Sequence, residues 1–281
     1  MDESTDATGR YVANFIVGVL SVEKEESRNC FLLHSDALEK SDHSSIAKFV
    51  INSLNILWPD ELHYNRVLLF VSDAAAYMLK AVRGLAVLFP KMRHLTCLAH
   101  GLHRVAETVR ASFPEVDKLV SSVKKIFKKS PHRRMVFREM TPNLKHPPEP
   151  VLTRWGTWLK AVQYYCDNWQ VVKDVVSQFD CNSATAIADA QTLFQKDSVR
   201  ANLVCISAHF MGLPSVIEKL ECRCQPLEES LHTIKKFQQD LQLSTAPIAQ
   251  ACSEKLLSVL KKNPAYEDLI GYYSRLQSRY D

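Results

Sequence analysis

Val67 to His103 reads VLLFVSDAAAYMLKAVRGLAVLFPKMRHLTCLAHGLH, and its apolar rhythm changes twice within those residues. Val67 to Val71 is an unbroken apolar run, too short for a helix and rich in β-branched and aromatic residues, which predicts a buried strand. Ser72 stops it and Asp73 follows. From Ala74 the apolar positions fall at helical spacing (Met78, Val82, Leu85, Ala86, Phe89) until Pro90. Asp73 is therefore expected at the carboxyl edge of a sheet, where open α/β sheets bind ligands. Asp is also a good helix cap, so that second role stays open. A second short strand, His94 to Thr96, leads into Cys97-Leu98-Ala99-His100-Gly101-Leu102-His103 and a helix through Phe113. Two strand-to-helix crossovers in succession imply a parallel pair.

Cys97 and His100 have the spacing of half a zinc site, but a structural zinc takes about four protein ligands. No second close pair lies nearby. Cys222 and Cys224 fall in a segment read as helical, where side chains turn by about 100° per residue and chelate together poorly. The expectation is a packed thiol with a hydrogen-bonded imidazole. The chain has 281 residues, 46% hydrophobic and 23% charged, the composition of an ordinary soluble globular protein of one or two domains. Val12 to Leu20 is far short of the roughly 20 apolar residues of a membrane helix. MDESTDATGR is acidic and lacks the apolar core of a signal peptide, so an intracellular protein is expected. The eight Cys show no framework spacing, which predicts reduced thiols. A net charge of +4 is too small by itself to argue for nucleic acid.

Upstream, Tyr11 to Leu20 and Cys30 to Leu33 read as strands joined by a charged turn over Glu23 to Arg28, hence antiparallel. His43 to Leu57 has helical spacing. With a strand before Tyr11, the order becomes three antiparallel strands followed by alternating helices and parallel strands, the ribonuclease H plan. Met1 to Asp6 would fall at the end of that first strand, most of which is missing. Asp2 and Asp73 would then approach one another, and two carboxylates at a sheet edge suit Mg²⁺ with positions open for phosphate oxygens.

Downstream, Lys118 to Arg138 holds eight basic residues (Lys118, Lys124, Lys125, Lys128, Lys129, Arg133, Arg134, Arg138) and no acid. A solvated helix face and a surface for backbone phosphates both fit. After Pro142 to Pro150, an extended connector, Trp155 and Trp158 share one helix face, either as core or as a stacking platform. From Cys166 the pattern is helical only: Val171 to Phe179, Ala184 to Phe194, Ala201 to Met211, Ser215 to Leu243, Ile248 to Leu260 and Tyr266 to Tyr280. No Gly-rich phosphate loop, HExxH or GxSxG occurs.

Asp2-Glu3-Ser4-Thr5-Asp6 with Gly9 to Asn14, Ser72-Asp73-Ala74-Ala75 with Met78, Cys97-Leu98-Ala99-His100-Gly101-Leu102, and Thr153-Arg154-Trp155 together resemble the hAT superfamily of transposases. The likeness covers about the first 165 residues. It implies an α/β N-terminal part, an incomplete ribonuclease-H-like mixed sheet over residues 1–165, followed by an all-α insertion-like bundle over 166–281. It further implies Asp2 and Asp73 as catalytic carboxylates and metal ligands for Mg²⁺ or Mn²⁺, with Asp6 a weaker claimant. His100 would lie near the site with Cys97 structural beside it. Arg154 and Trp155 would contact DNA, joined by Lys124, Lys125, Lys128, Lys129, Arg133 and Arg134 on the backbone. The family's third carboxylate, a Glu after the insertion, has no counterpart; Glu228, Glu229 and Glu254 are not followed by enough chain to close the core. Three functions are therefore carried forward. They are a catalytically incomplete, transposon-derived domain binding DNA or protein, an active metal-dependent nuclease or transposase, and a helical interaction scaffold that self-associates or docks a protein. The resemblance implies a nuclear location.

Overall fold

The computed structural model describes residues 1–19, 30–128, 130–151, 155–222, 226–246 and 248–277. The expected turn over Glu23 to Arg28, together with Lys129, Arg154 and Cys224, lies outside the described residues, as does the side chain of Trp155. The chain forms two compact units, one of Met1–Gly101, Arg223–Pro226 and Val259–Asp281, the other of Leu102–Cys222 and Leu227–Ser258. This is a different division from that by element type at residue 165. Strands end at Thr96, and everything described beyond is helix, a 3-10 turn at Cys181–Ser183 or connector.

In the first unit, β1 (Asp2–Thr5), β2 (Tyr11–Gly18) and β3 (Cys30–Leu38) make an antiparallel sheet in the order β1-β2-β3. Asp2–Thr5 is thus itself a paired strand, with Asp2 opposite Asn14 and Thr5 opposite Tyr11, rather than the residue of one already ended. Asp6 builds the turn that follows: its Oδ1 accepts from the Thr8 and Arg10 amides, and its Oδ2 accepts from Arg10 Nε at 2.8 Å. Those bonds hold its carboxyl well below the usual range, the Arg10 amide contributing most. Gly9 takes φ 85°, the left-handed conformation that a side chain would strain. So Asp6 is a turn residue. Beyond Asn14, Phe15–Gly18 pair with β3 but have no partner on their β1 side among the described residues.

Asp42 caps α1 (His43–Leu57), accepting from the Ser44 and Ser45 amides. β4 (Leu69–Ser72) and β5 (Arg93–Thr96) are parallel, joined through α2 (Ala76–Leu88). The apolar run from Val67 is not buried on both faces as read: Leu69 and Val71 are exposed, and only Phe70 and Ser72 turn inward. One core serves both sheets. Phe15 of β2 lies 6.3 Å from Phe70 of β4 and meets Phe49 of α1 edge-on, with Met78, Val82 and Leu85 of α2 closing over them. Each such side chain contributes roughly 1.5–3 kcal/mol by leaving water. The last helix, α13 (Pro264–Gln277), packs on β5.

α3 (Leu98–Ser112) begins in the first unit and runs into the second. There follow α4 (Pro114–Lys128), α5 (Pro131–Met140), α6 (Trp155–Asp167), α7 (Trp169–Ser177), α8 (Thr185–Phe194), α9 (Asp197–Phe210), α10 (Gly212–Glu221), α11 (Leu227–Leu243) and α12 (Ala249–Lys261). α4 packs on α8 and α6 on α9. The apolar stripe Val120, Val123, Ile126 and Phe127 is buried as its spacing requires, and Trp158 is core, 2% exposed. The single helix expected over Ser215 to Leu243 is two. α10 stops at Glu221, Cys222 turns extended with ψ 134°, and Pro226, unable to donate an amide, precedes α11. Cys222 is accordingly not helical. No single helix among the described residues is long and apolar enough to cross a membrane.

Candidate functional site

Three chain segments of the first unit converge at one sheet edge. The start of β1 supplies Asp2 and Glu3, the loop after β4 supplies Asp73, and the junction of β5 with α3 supplies Cys97 and His100. β1 comes beside β4 through the Met1 nitrogen, which donates to the Val71 carbonyl at 2.8 Å. β4 and β5 advance together, Ser72 opposite Thr96, so Asp73 and Cys97 leave the ladder at the same level. The Cys97 amide continues it by donating to the Ser72 carbonyl at 2.7 Å.

Asp73 is not the cap residue of α2; Ala75 is, and it offers no side-chain bond. Asp73 Oδ1 instead accepts from the Ala75 amide at 3.1 Å, a local turn that shapes the lead-in. Cys97 stands at the start of α3, where its carbonyl accepts the Gly101 amide. The His100 side chain hydrogen-bonds its thiol, and the His100 and Ala99 amides of the first helical turn point to the same sulfur. Burial pushes the Cys97 thiol up, yet the imidazole and the amides outweigh it and hold the thiol below its ordinary value. The bond to Cys97 raises His100 against the opposing effect of burial, and the charges of Asp2 and Asp73 add to the rise. All four residues singled out in this half of the sequence are therefore brought into one electrostatic neighbourhood.

The edge contains two further groups that the sequence reading passed over. Glu3 Oε2 accepts from the Tyr77 hydroxyl at 2.8 Å, and burial raises Glu3 while Tyr77 partly opposes it. Burial and the Glu3 partner push Tyr77 far above its usual range. His94 Nε2 lies 2.9 Å from Ser72 Oγ, which in turn donates to the Asp73 carbonyl. Glu3 was legible as the residue next to Asp2 on the opposite strand face; His94 was read only as a strand residue. The second His of the motif, His103, is buried in the other unit, 3.5 Å from Glu221.

Among the described residues, no group of three or more His, Cys, Asp or Glu is arranged to hold a metal ion. Asp2 and Asp73 alone do not fit a two-metal centre, which needs further oxygen donors around each ion.

The basic segment is largely occupied with its own fold. Arg134 donates to the Phe127 and Lys128 carbonyls, and Arg133 to the Ile126 carbonyl, so both cap the end of α4. Arg133 also reaches Ser183 Oγ, Lys118 pairs with Asp189, and Lys124 donates to the Pro150 carbonyl. Lys125 and Lys128 remain exposed on α4. The continuous cationic surface read over this segment is thereby reduced, because helix ends and loops consume four of its cations. Comparison with protein-family models and with curated proteins gives no match.

Proposed function

We propose that the chain is a hAT-transposase-like, transposon-derived domain with a ribonuclease-H-like core that does not cut DNA and retains at most DNA or protein binding. The observation that carries this reading is the meeting of Asp2, Asp73, Cys97 and His100, four residues of the motif series, at one edge. Support for the core comes from the antiparallel β1-β2-β3 sheet, the parallel β4–β5 pair and the Met1 bond that brings β1 to β4. Support for lost catalysis comes from the donor set, two carboxylates without a third. Exposed Lys125 and Lys128 favour a weak, backbone-directed and salt-sensitive contact with DNA.

The test is a gel assay of duplex and hairpin DNA in Mn²⁺ with the wild type and Asp73→Ala. Retardation without cleavage, equal in both proteins and falling steeply with salt, is the expected result. Cleavage that disappears in the variant would overturn lost catalysis. Neither signal would favour the helical scaffold, the reading to which the internally bonded Arg133 and Arg134 already lean.

A further inference from the structure

The strongest unassigned chemistry lies in the pairing of a thiol with an imidazole inside a half-buried cluster. Among the described cysteines, Cys252 is buried and its thiol is pushed up to about 11 by burial alone. Cys30, Cys181 and Cys222 are exposed. Cys97 differs from these in geometry. It is partly accessible, it begins a helix whose first amides face its sulfur, and His100 one turn on bonds to it. Such a sulfur is kept in its nucleophilic form by donors on two sides. An electrophile reaching it also finds a proton donor, since His100 is held protonated by Cys97 and by the facing charges of Asp2 on β1 and Asp73 after β4. The other groups around the edge are the Met1 nitrogen, Glu3 with Tyr77, and His94, which burial keeps neutral.

We propose that Cys97 is a modification site for hydroperoxides, with His100 as its proton donor. The Cys97 thiolate attacks one peroxide oxygen, an S–O bond forms and the O–O bond breaks. The leaving oxygen takes the His100 proton, giving a sulfenic acid with water or an alcohol, the sulfur oxidised and the peroxide reduced. The product replaces the thiol–imidazole bond with a bulkier group between the two carboxylates. Its effect is local to the edge and independent of whether DNA is bound or cut.

The experiment treats the full chain with hydrogen peroxide, traps sulfenic acid with a dimedone-type probe and reads each Cys by mass spectrometry. At pH 6.5, Cys97 is expected to react about ten-fold faster than Cys30 in the same sample, and His100→Gln to bring it down to the Cys30 rate. Equal rates at Cys97 and Cys30 in the wild type, or an unchanged Cys97 rate in His100→Gln, would overturn the proposal. Should His100→Gln unfold, Cys252 would become reactive and report it. The wild-type pH profile then decides: a Cys97 midpoint below the ordinary thiol value of 9.0 supports the site, and one at or above it sinks the site.

Discussion

The edge of the first unit and the α4–α5 segment of the second are the two places where the sequence concentrates chemistry, and the fold treats them oppositely. At the edge, residues from positions 2, 73, 97 and 100 are drawn together by strand pairing, and their polar groups act on one another. In α4–α5 the cations are neighbours in sequence, and Arg133 and Arg134 turn back on carbonyls six or seven residues away. Density of charge in a sequence therefore says less about a site than whether the backbone already has a use for it. Helix termini leave four carbonyls unsatisfied, and a nearby guanidinium meets that need before any ligand arrives.

The edge depends on distant contacts, so its sharpest test is Asn263. Its side-chain oxygen accepts the Thr96 amide at 3.1 Å and its nitrogen donates to the Thr96 carbonyl at 2.8 Å, replacing a neighbouring strand along β5. Asn263→Ala leaves two buried backbone groups unpaired and is expected to cost about 2–4 kcal/mol, read as a fall in the urea midpoint. Loss of the Cys97–His100 pairing should accompany it. A change under about 0.5 kcal/mol would show that the edge is held locally after all.

Gly101 tests the same dependence. A Cβ there would collide with Val259 Cγ1, a β-branched side chain with little room to turn. Gly101→Ala is expected to destabilise by about 1–3 kcal/mol despite its better helix propensity, measured by thermal unfolding. A gain in stability would mean that α3 and Val259 are not closely packed.

On the other side of the comparison, Arg134→Ala should cost about 1 kcal/mol through its lost carbonyl bonds, whereas Lys128→Ala should stay within about 0.5 kcal/mol. DNA retardation should show the reverse order, weakened more by Lys128→Ala. Equal stability effects would erase the distinction between structural and free cations.

The smallest effect is a pH dependence from His146. Its two ring nitrogens have no hydrogen-bond partner among the described residues, and its ring stacks on Phe137 at 4.8 Å. Burial lowers it below 6.5, and Arg138 and Arg134 add to the fall. The unfolded chain then binds the proton more readily, so the contribution is complete above about pH 6.5 and is lost as pH falls toward the folded value. Comparing urea midpoints at about pH 7.5 and pH 5.5 should show a decline that His146→Leu reduces; an undiminished decline would assign it elsewhere.

Much of this was readable in advance for definite reasons. His43–Leu57 matched its spacing to the residue, because Asp42 supplies an N-cap and the apolar stripe has one face to bury. The β4–α2–β5 crossover followed from a period change at Asp73 and Pro90. The length of β1, the exposed faces of Leu69 and Val71 and the break between α10 and α11 did not follow, since each depends on what lies across a ladder or past a proline. Glu3–Tyr77 and Asn263–Thr96 join residues 74 and 167 positions apart, beyond any periodicity.

Local rules thus determined the elements, the order of strands and helices, and the four candidate residues at the ends of those elements, because propensity, capping and apolar period act within a few residues. The tertiary structure alone decided which candidates meet. Strand pairing carried Asp2 to Asp73 and His100, and the unmet carbonyls of α4 claimed Arg133 and Arg134, since hydrogen-bond satisfaction is settled by whichever donor the folded backbone brings within reach.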